Sequence, residues 1–192
     1  MRAAPWVGST LLLLAGYLAF KWGLAGSVNE ERLVALGAMY HWSALTSLVA
    51  GWSIWLVRAK ASTRSFWGDF KLLAKPVFLY ALLATGSVYL WNHVIAREST
   101  ELRKALRSAQ IEEHTASDEA YAVLVAQQPP EQQANYPARE TYREQAISQV
   151  EWMLSGGVTV VLSLLMYLFA SLILVLCGTL LLHQIWGVAT LG

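Results

Sequence analysis

The amino-acid sequence predicts an all-α integral membrane protein, a four-helix up-and-down bundle with a helical extracytoplasmic insert between spans three and four. Residues 152–192 contain no Asp, Glu, Lys or Arg, and about 20 apolar residues are enough for a helix to cross a bilayer. The chain of 192 residues is 56% hydrophobic and only 14% charged, and its mean hydropathy is +0.41. Strands of a membrane barrel would alternate in polarity, so helices are the structure that this sequence favours.

The first apolar stretch predicts a span over residues 5–25. Trp6 and Trp22 lie near its two ends, where aromatic side chains meet the membrane interface. Lys21 lies close to the second end, and we expect its long side chain to extend toward the headgroups. The apolar part is longer than that of a secretory signal and no clear cleavage pattern follows it, which favours an uncleaved span.

The second span is predicted over residues 33–57. The polar connection before it is short, so the first two spans should be antiparallel neighbours. Ser43, Ser47 and Gly51 recur every four residues and therefore fall in a row on one face of the helix. Small side chains let another helix approach closely, and we predict that this row is a helix-packing face.

Residues 58–75 predict a basic cytoplasmic loop that contacts lipid headgroups. They hold five cations and one carboxylate, whereas residues 97–151 hold six cations and ten carboxylates. This asymmetry places the loop, and with it both termini, on the cytoplasmic side of a bacterial inner membrane. The cations expected at the headgroups are Arg58, Lys60, Arg64, Lys71 and Lys75.

The third span is predicted over residues 76–96, with Pro76 at the first helical position, where its missing N–H costs nothing. Residues 97–151 then form a polar helical insert on the extracytoplasmic side. Within the insert, Ser117 is expected to cap a helix that begins at Asp118.

The fourth span is predicted over residues 157–187. Thr141 and Glu144 have the spacing of a capping box, and no helix breaker follows them. We therefore expect a helix that starts outside the membrane and continues into the fourth span as one rod.

Catalytic and transport motifs are absent from the sequence. No predicted span has a central Asp or Glu, which argues against a proton-coupled carrier or an ion-selective channel. The sequence contains no G-x-S-x-G, H-E-x-x-H, C-x-x-C or phosphate-binding glycine loop. The single cysteine, Cys177, cannot form a disulfide within the chain. The net charge of +1 says nothing about a nucleic-acid partner, and none is predicted. We predict no enzyme and no metal site.

Two histidines in the spans are the candidate cofactor ligands. His41 and His93 could ligate haem b, although predicted depths of roughly 12 Å and roughly 5 Å place them at different levels. Alternatively, His41 forms a hydrogen bond across the bundle and His93 belongs to an interfacial aromatic belt. The nine tryptophans could similarly line a quinone site or anchor the helices at the two interfaces.

A family resemblance rests on short motifs around the third span. Ser65-Phe66 and Phe70-Lys71 precede that span, Tyr89-Leu90 and Ile95 lie at its end, and an acidic helical insert precedes the fourth span. This layout resembles the uncharacterised four-span bacterial membrane family catalogued as domain of unknown function 4199. Because that family has no assigned activity, the resemblance implies only membrane location and topology.

These observations predict a non-catalytic accessory or scaffolding subunit of a larger inner-membrane complex. Its expected partners are membrane lipid and other integral membrane subunits, or a second copy of the chain. The alternative function is a redox subunit that binds haem or quinone through His41 and His93. A small-solute channel or carrier is a third alternative, which the lack of central charges disfavours.

Overall fold

The computed structural model of the protein describes residues 5–63 and 65–184, and it contains no strand within those ranges. A π-helical turn, Trp91–Ile95, follows the third helix. In chain order, the helices are α1 (Pro5–Leu24), α2 (Glu30–Arg58), α3 (Phe66–Leu90), α4 (Arg97–His114), α5 (Asp118–Ala126), α6 (Pro130–Gln133), α7 (Arg139–Met153) and α8 (Gly156–Gln184).

Four of these helical segments are long and apolar enough to cross a membrane. They are α1, α2, α3 with its π-helical turn, and α8. The described residues therefore confirm the predicted helical class, and their length and composition are those of a multi-pass membrane protein. The predicted fourth span continues to residue 187, and residues 185–187 lie outside the described part of the chain.

The chain forms two compact units. The first comprises Met1–Val88 and Val160–Gly192, and the second comprises Tyr89–Thr159. Helices α1 and α2, with most of α3 and α8, belong to the first unit, whereas α4 to α7 belong to the second.

The first unit has an apolar core supplied mainly by α2, α3 and α8. Leu45, Leu73 and Val175 are completely buried there, one from each of these helices, and Leu13 of α1 packs against the same core. Large apolar side chains are also exposed on every one of the four helices. An exposed surface of this kind is expected where lipid, rather than water, surrounds the helices.

The connection between α1 and α2 is defined by two end-capping residues. Gly26 follows α1 with a φ of +81°, a conformation that favours glycine because it has no Cβ. Asn29 caps α2, since its side-chain oxygen accepts a hydrogen bond from the Arg32 N–H at 2.9 Å. These two residues end one membrane helix and start the next within a short polar segment.

Helix α3 begins at Phe66, whereas the third span was predicted to start at Pro76. Pro76 lies inside the helix, where it removes one backbone hydrogen bond without ending the helix. The predicted basic loop over residues 58–75 therefore includes the first turns of α3. Lys71 and Lys75 are exposed residues of that helix and not loop residues.

The predicted continuous rod into the fourth span is wrong. Helix α7 begins at Arg139, before Thr141, and it ends at Met153. A new helix starts at Gly156, because the Ser155 hydroxyl accepts a hydrogen bond from the Val158 N–H at 3.3 Å. Ser155 therefore acts as a cap that separates the two helices.

The second unit contains a cluster of three tyrosine rings. Tyr121 and Tyr142 have ring centroids 5.6 Å apart, and Tyr136 lies 5.6 Å from Tyr142. The Tyr121 hydroxyl donates to the Pro137 carbonyl at 2.6 Å, and burial raises the pKa of this tyrosine. Ser117 accepts from the Ala120 N–H at 3.2 Å, which confirms the predicted cap of α5.

Candidate functional site

The interior of the first unit contains a buried histidine surrounded by tyrosines. His41 of α2 is completely buried, and its Nδ1 lies 2.8 Å from the Tyr80 hydroxyl of α3. This hydrogen bond joins two membrane helices, so the structure agrees with the prediction that His41 bonds across the bundle. We refer to His41 and the four tyrosines around it as the histidine–tyrosine layer. The four tyrosines are Tyr17, Tyr40, Tyr80 and Tyr167.

All four membrane helices contribute a ring to this layer. The His41 ring centroid is 4.0 Å from that of Tyr17 on α1 and 5.1 Å from that of Tyr167 on α8. Tyr80 approaches edge-on at 5.8 Å, a favourable arrangement for aromatic rings. The layer therefore fixes the four helices relative to one another through packing as well as through the hydrogen bond.

Tyr40 connects this layer to α1. Its hydroxyl donates to the Leu13 carbonyl at 2.9 Å. A Cβ at Gly16 would lie 2.5 Å from the Tyr40 hydroxyl oxygen, so glycine makes room for that hydroxyl. The contact requires both residue types, one on each helix.

The second ring nitrogen of His41, Nε2, is buried and has no hydrogen-bond partner among the described residues. If Tyr80 donates its proton to Nδ1, Nε2 carries a proton that it can donate; if Nδ1 donates to Tyr80, Nε2 presents a lone pair. In either tautomer this atom can bind one further group. Nε2 is therefore an atom of the layer that is available to a hydrogen-bond partner or a ligand.

Lys21 is buried near Tyr17 of the histidine–tyrosine layer, since both side chains lie against Gly37. Its residue surface is only 2% exposed, so the predicted extension toward the interface is wrong. Its Cε would lie 2.9 Å from a Cβ at Gly37, which shows that the missing side chain of Gly37 makes room for the lysine against α2.

His93 has a different environment from that of His41. It belongs to the second unit, where its Nε2 lies 3.1 Å from the Thr159 hydroxyl and its ring stacks on Tyr89 at 5.2 Å. The two candidate haem ligands therefore each have partners within their own unit. Among the described residues, no group of three or more His, Cys, Asp or Glu is arranged to hold a metal ion.

A second polar site, the Asp69 cluster, was not identified from the sequence. Asp69 of α3 is completely buried, and it accepts hydrogen bonds from the Ser62 hydroxyl at 2.6 Å and from the Thr63 N–H at 2.7 Å. The Thr63 hydroxyl donates to the same carboxylate at 3.0 Å, and His183 Nε2 of α8 lies 3.1 Å from it. Four groups thus surround a carboxylate that was predicted to lie in the basic cytoplasmic loop.

One signal in the sequence could have located this cluster. Asp69 is the sole carboxylate in the basic segment, and Ser62 and Thr63 precede it closely. Short hydroxyl side chains commonly bond to groups a few residues away at the start of a helix. His183 offered no comparable signal, since it is separated from Asp69 by 114 residues.

The predicted packing row is exposed within the chain. Ser43, Ser47 and Gly51 all lie on the outer surface of α2, and a Cβ at Gly51 would meet no atom of the described chain within 4 Å. Ser47 and Gly51 form one wall of a cavity of about 460 Å³ between α1 and α2, which we call the α1–α2 groove. The other lining residues are Ser9, Leu12, Leu13, Leu48, Trp52 and Trp55.

The predicted headgroup cations are exposed where they are described. Arg58 ends α2, and Lys60 follows it with a φ of +50°. Lys71 and Lys75 lie on exposed positions of α3, whereas Arg64 lies outside the described residues.

Comparisons with protein-family models, with curated proteins and with solved structures found no match to this chain.

Proposed function

We propose that the protein is a non-enzymatic accessory or scaffolding subunit of a larger bacterial inner-membrane complex. The observation that carries this proposal is the exposed α1–α2 groove with its small-residue wall, Ser47 and Gly51. In lipid, helices associate through close van der Waals packing because the solvent supplies no hydrophobic driving force between them. A groove with a glycine wall and open space above it suits a transmembrane helix of another subunit.

The composition of the groove also favours a helix as the occupant. Leu12, Leu13 and Leu48 line it with apolar side chains, and Trp52 and Trp55 add aromatic ones. Large apolar and aromatic side chains provide most of the contact area when an amphipathic or apolar helix enters a groove. The partner is therefore an integral membrane subunit, or a second copy of the chain that offers the same face.

The proposed arrangement in the membrane is a four-helix up-and-down bundle with an extracytoplasmic insert and cytoplasmic termini. The cation-rich segment before and within the start of α3 supports this orientation, because positive charge is enriched on the cytoplasmic side. Arg58, Lys60, Lys71 and Lys75, together with Arg64, would contact anionic headgroups there. The same arrangement agrees with the resemblance to domain of unknown function 4199.

The test replaces Gly51 by Leu and measures association in a mild detergent by co-purification. Leucine fills the open space over the groove wall, and we expect at least a tenfold loss of the captured membrane partner. Gly86→Leu is the matched control, because Gly86 is an exposed glycine of α3 that likewise has no described atom within 4 Å of its Cβ position. Equal recovery from both variants and the wild type would contradict the proposal.

A second candidate function is cofactor binding at His41. The unpartnered Nε2 favours it, because an imidazole nitrogen in a membrane interior can ligate haem b or bond to a quinone carbonyl. An absorption spectrum of protein purified from membranes tests for haem, and His41→Phe should remove any Soret band. Organic extraction of the same sample tests for a bound quinone. A sample with neither chromophore would exclude this candidate.

A further inference from the structure

A second groove lies on a different face of α2 from the row Ser43, Ser47 and Gly51. It runs between α2 and α8 and has a volume of about 320 Å³. Gly178 lets the two helices approach, because a Cβ there would lie 2.5 Å from Val49 Cγ1. Ala50, Ile54 and Leu181 line the groove and are exposed, so it opens on the outer surface of the unit. We call it the α2–α8 groove.

Ser53 gives this apolar groove one unused polar group. The residue is only 3% exposed, it lines the groove, and its hydroxyl has no hydrogen-bond partner within the described chain. Its oxygen would lie 3.5 Å from a Cβ at Gly178, which places it at the contact between the two helices. A buried hydroxyl without a partner is unfavourable, so an occupant of the groove that brings a hydrogen-bond acceptor would be stabilised there.

A cation continues one row of the residues that line this groove on α2. Thr46, Ala50 and Ile54 line it at intervals of four residues, and Arg58 is the next residue in that row. Arg58 is exposed in the last turn of α2. It lies five residues beyond Ser53, a distance of about 7.5 Å along a helix. The surface thus presents an apolar channel, a hydroxyl and a guanidinium in that order.

We propose that the α2–α8 groove binds one anionic phospholipid. An acyl chain occupies the apolar channel, an ester carbonyl accepts a hydrogen bond from the Ser53 hydroxyl, and the phosphate lies beside Arg58. A diacyl phospholipid carries these three groups in the same order, from chain to ester to phosphate. A transmembrane helix fits less well, because its backbone carbonyls are already bonded within the helix. The inference rests on the membrane location and on the headgroup contacts of the proposed function.

The experiment measures lipid binding to the full chain in detergent by native mass spectrometry. The protein is titrated with dioleoyl phosphatidylglycerol and, separately, with dioleoyl phosphatidylcholine. For the wild type, we expect one phosphatidylglycerol to bind about fivefold more tightly than phosphatidylcholine, since one arginine near an anionic headgroup contributes about that factor. Equal affinities for the two lipids would overturn the proposal.

Two variants separate the contacts of the ester from those of the phosphate. Ser53→Ala should lower the affinity for both lipids about threefold to tenfold, because both have ester carbonyls. Its melting temperature without lipid should not fall, since the removed hydroxyl had no partner. Arg58→Gln should instead abolish the preference for phosphatidylglycerol, because the choline of phosphatidylcholine already offsets its phosphate charge and that lipid therefore loses less affinity.

The controls are Ser47→Ala, in the α1–α2 groove, and Arg32→Gln, at the opposite end of α2. Both should bind phosphatidylglycerol as the wild type does. Unchanged binding by Ser53→Ala and Arg58→Gln would show that the lipid does not occupy this groove. Capture of a partner subunit, which depends on Gly51, is a separate measurement, so the failure of one proposal is distinguishable from the failure of the other.

Discussion

The bond between His41 and Tyr80 shows how single residues define the interior of the first unit. The imidazole and the phenol share a hydrogen bond after burial, and this bond links two consecutive helices through residues 39 positions apart. The sequence indicated that His41 would need a partner in the membrane. It did not indicate Tyr80, because the pairing depends on how each helix is rotated, and hydrophobic periodicity leaves that rotation open.

Replacing Tyr80 by Phe tests the importance of this bond. The change leaves Nδ1 as well as Nε2 of His41 without a partner in the interior, and we expect the free energy of unfolding to fall by about 1–2 kcal/mol. Tyr167→Phe is the control, since Tyr167 makes a T-shaped ring contact with His41 and not a hydrogen bond to Nδ1. The measurement is unfolding by SDS in mixed micelles. Equal stabilities of the two variants would contradict a role for the bond.

The start of α3 and the separation of α7 from α8 illustrate how polar side chains define helical elements in this chain. Proline is a common first residue of a helix, so the sequence favoured Pro76 as the start of the third span. The helix instead starts at Phe66, and Asp69 in its first turn accepts hydrogen bonds from Ser62 and Thr63, which precede the helix. Ser155 similarly provides a cap that composition alone does not reveal. Hydropathy locates apolar stretches well, and the ends of helices depend on such individual bonds.

The contact between α2 and α8 can be tested with a single methyl group. Gly178→Ala places a Cβ 2.5 Å from Val49 Cγ1, and we expect this overpacking to lower the free energy of unfolding by about 1–3 kcal/mol. Gly86→Ala adds the same methyl group where no described atom lies within 4 Å, so it should leave stability unchanged or raise it by up to about 1 kcal/mol. Unfolding in mixed micelles compares the two, and a stable Gly178→Ala protein would show that the helices separate without cost.

The proposed orientation of the whole molecule makes a prediction about accessibility. In a Cys177→Ala background, we expect a cysteine at His114→Cys to react with a membrane-impermeant maleimide added to intact spheroplasts. A cysteine at Lys60→Cys should react only after the membrane is permeabilised. Both positions are exposed within the chain, so burial does not limit either reaction. The opposite labelling pattern would reverse the proposed orientation.

At the scale of the whole chain, the sequence predicted the number and approximate positions of the membrane helices. Those features depend on local composition, as in α8, where apolar residues follow one another over many turns. The histidine–tyrosine layer and the Asp69 cluster could not be predicted in the same way. Each joins residues of different helices, and a single sequence contains no measure of which distant residues meet. The exposure of Ser47 and Gly51 depended on the same missing information.

The Asp69 cluster also has a consequence for biogenesis. Ser62 and Thr63 are translated just before Asp69, so the carboxylate has its local partners as soon as that segment leaves the ribosome. His183 is translated 114 residues later, and only then can the imidazole reach the carboxylate. A nascent chain that stops before α8 would therefore lack the contact that links the start of α3 to α8. The Asp69 cluster is therefore complete only after α8 has been translated.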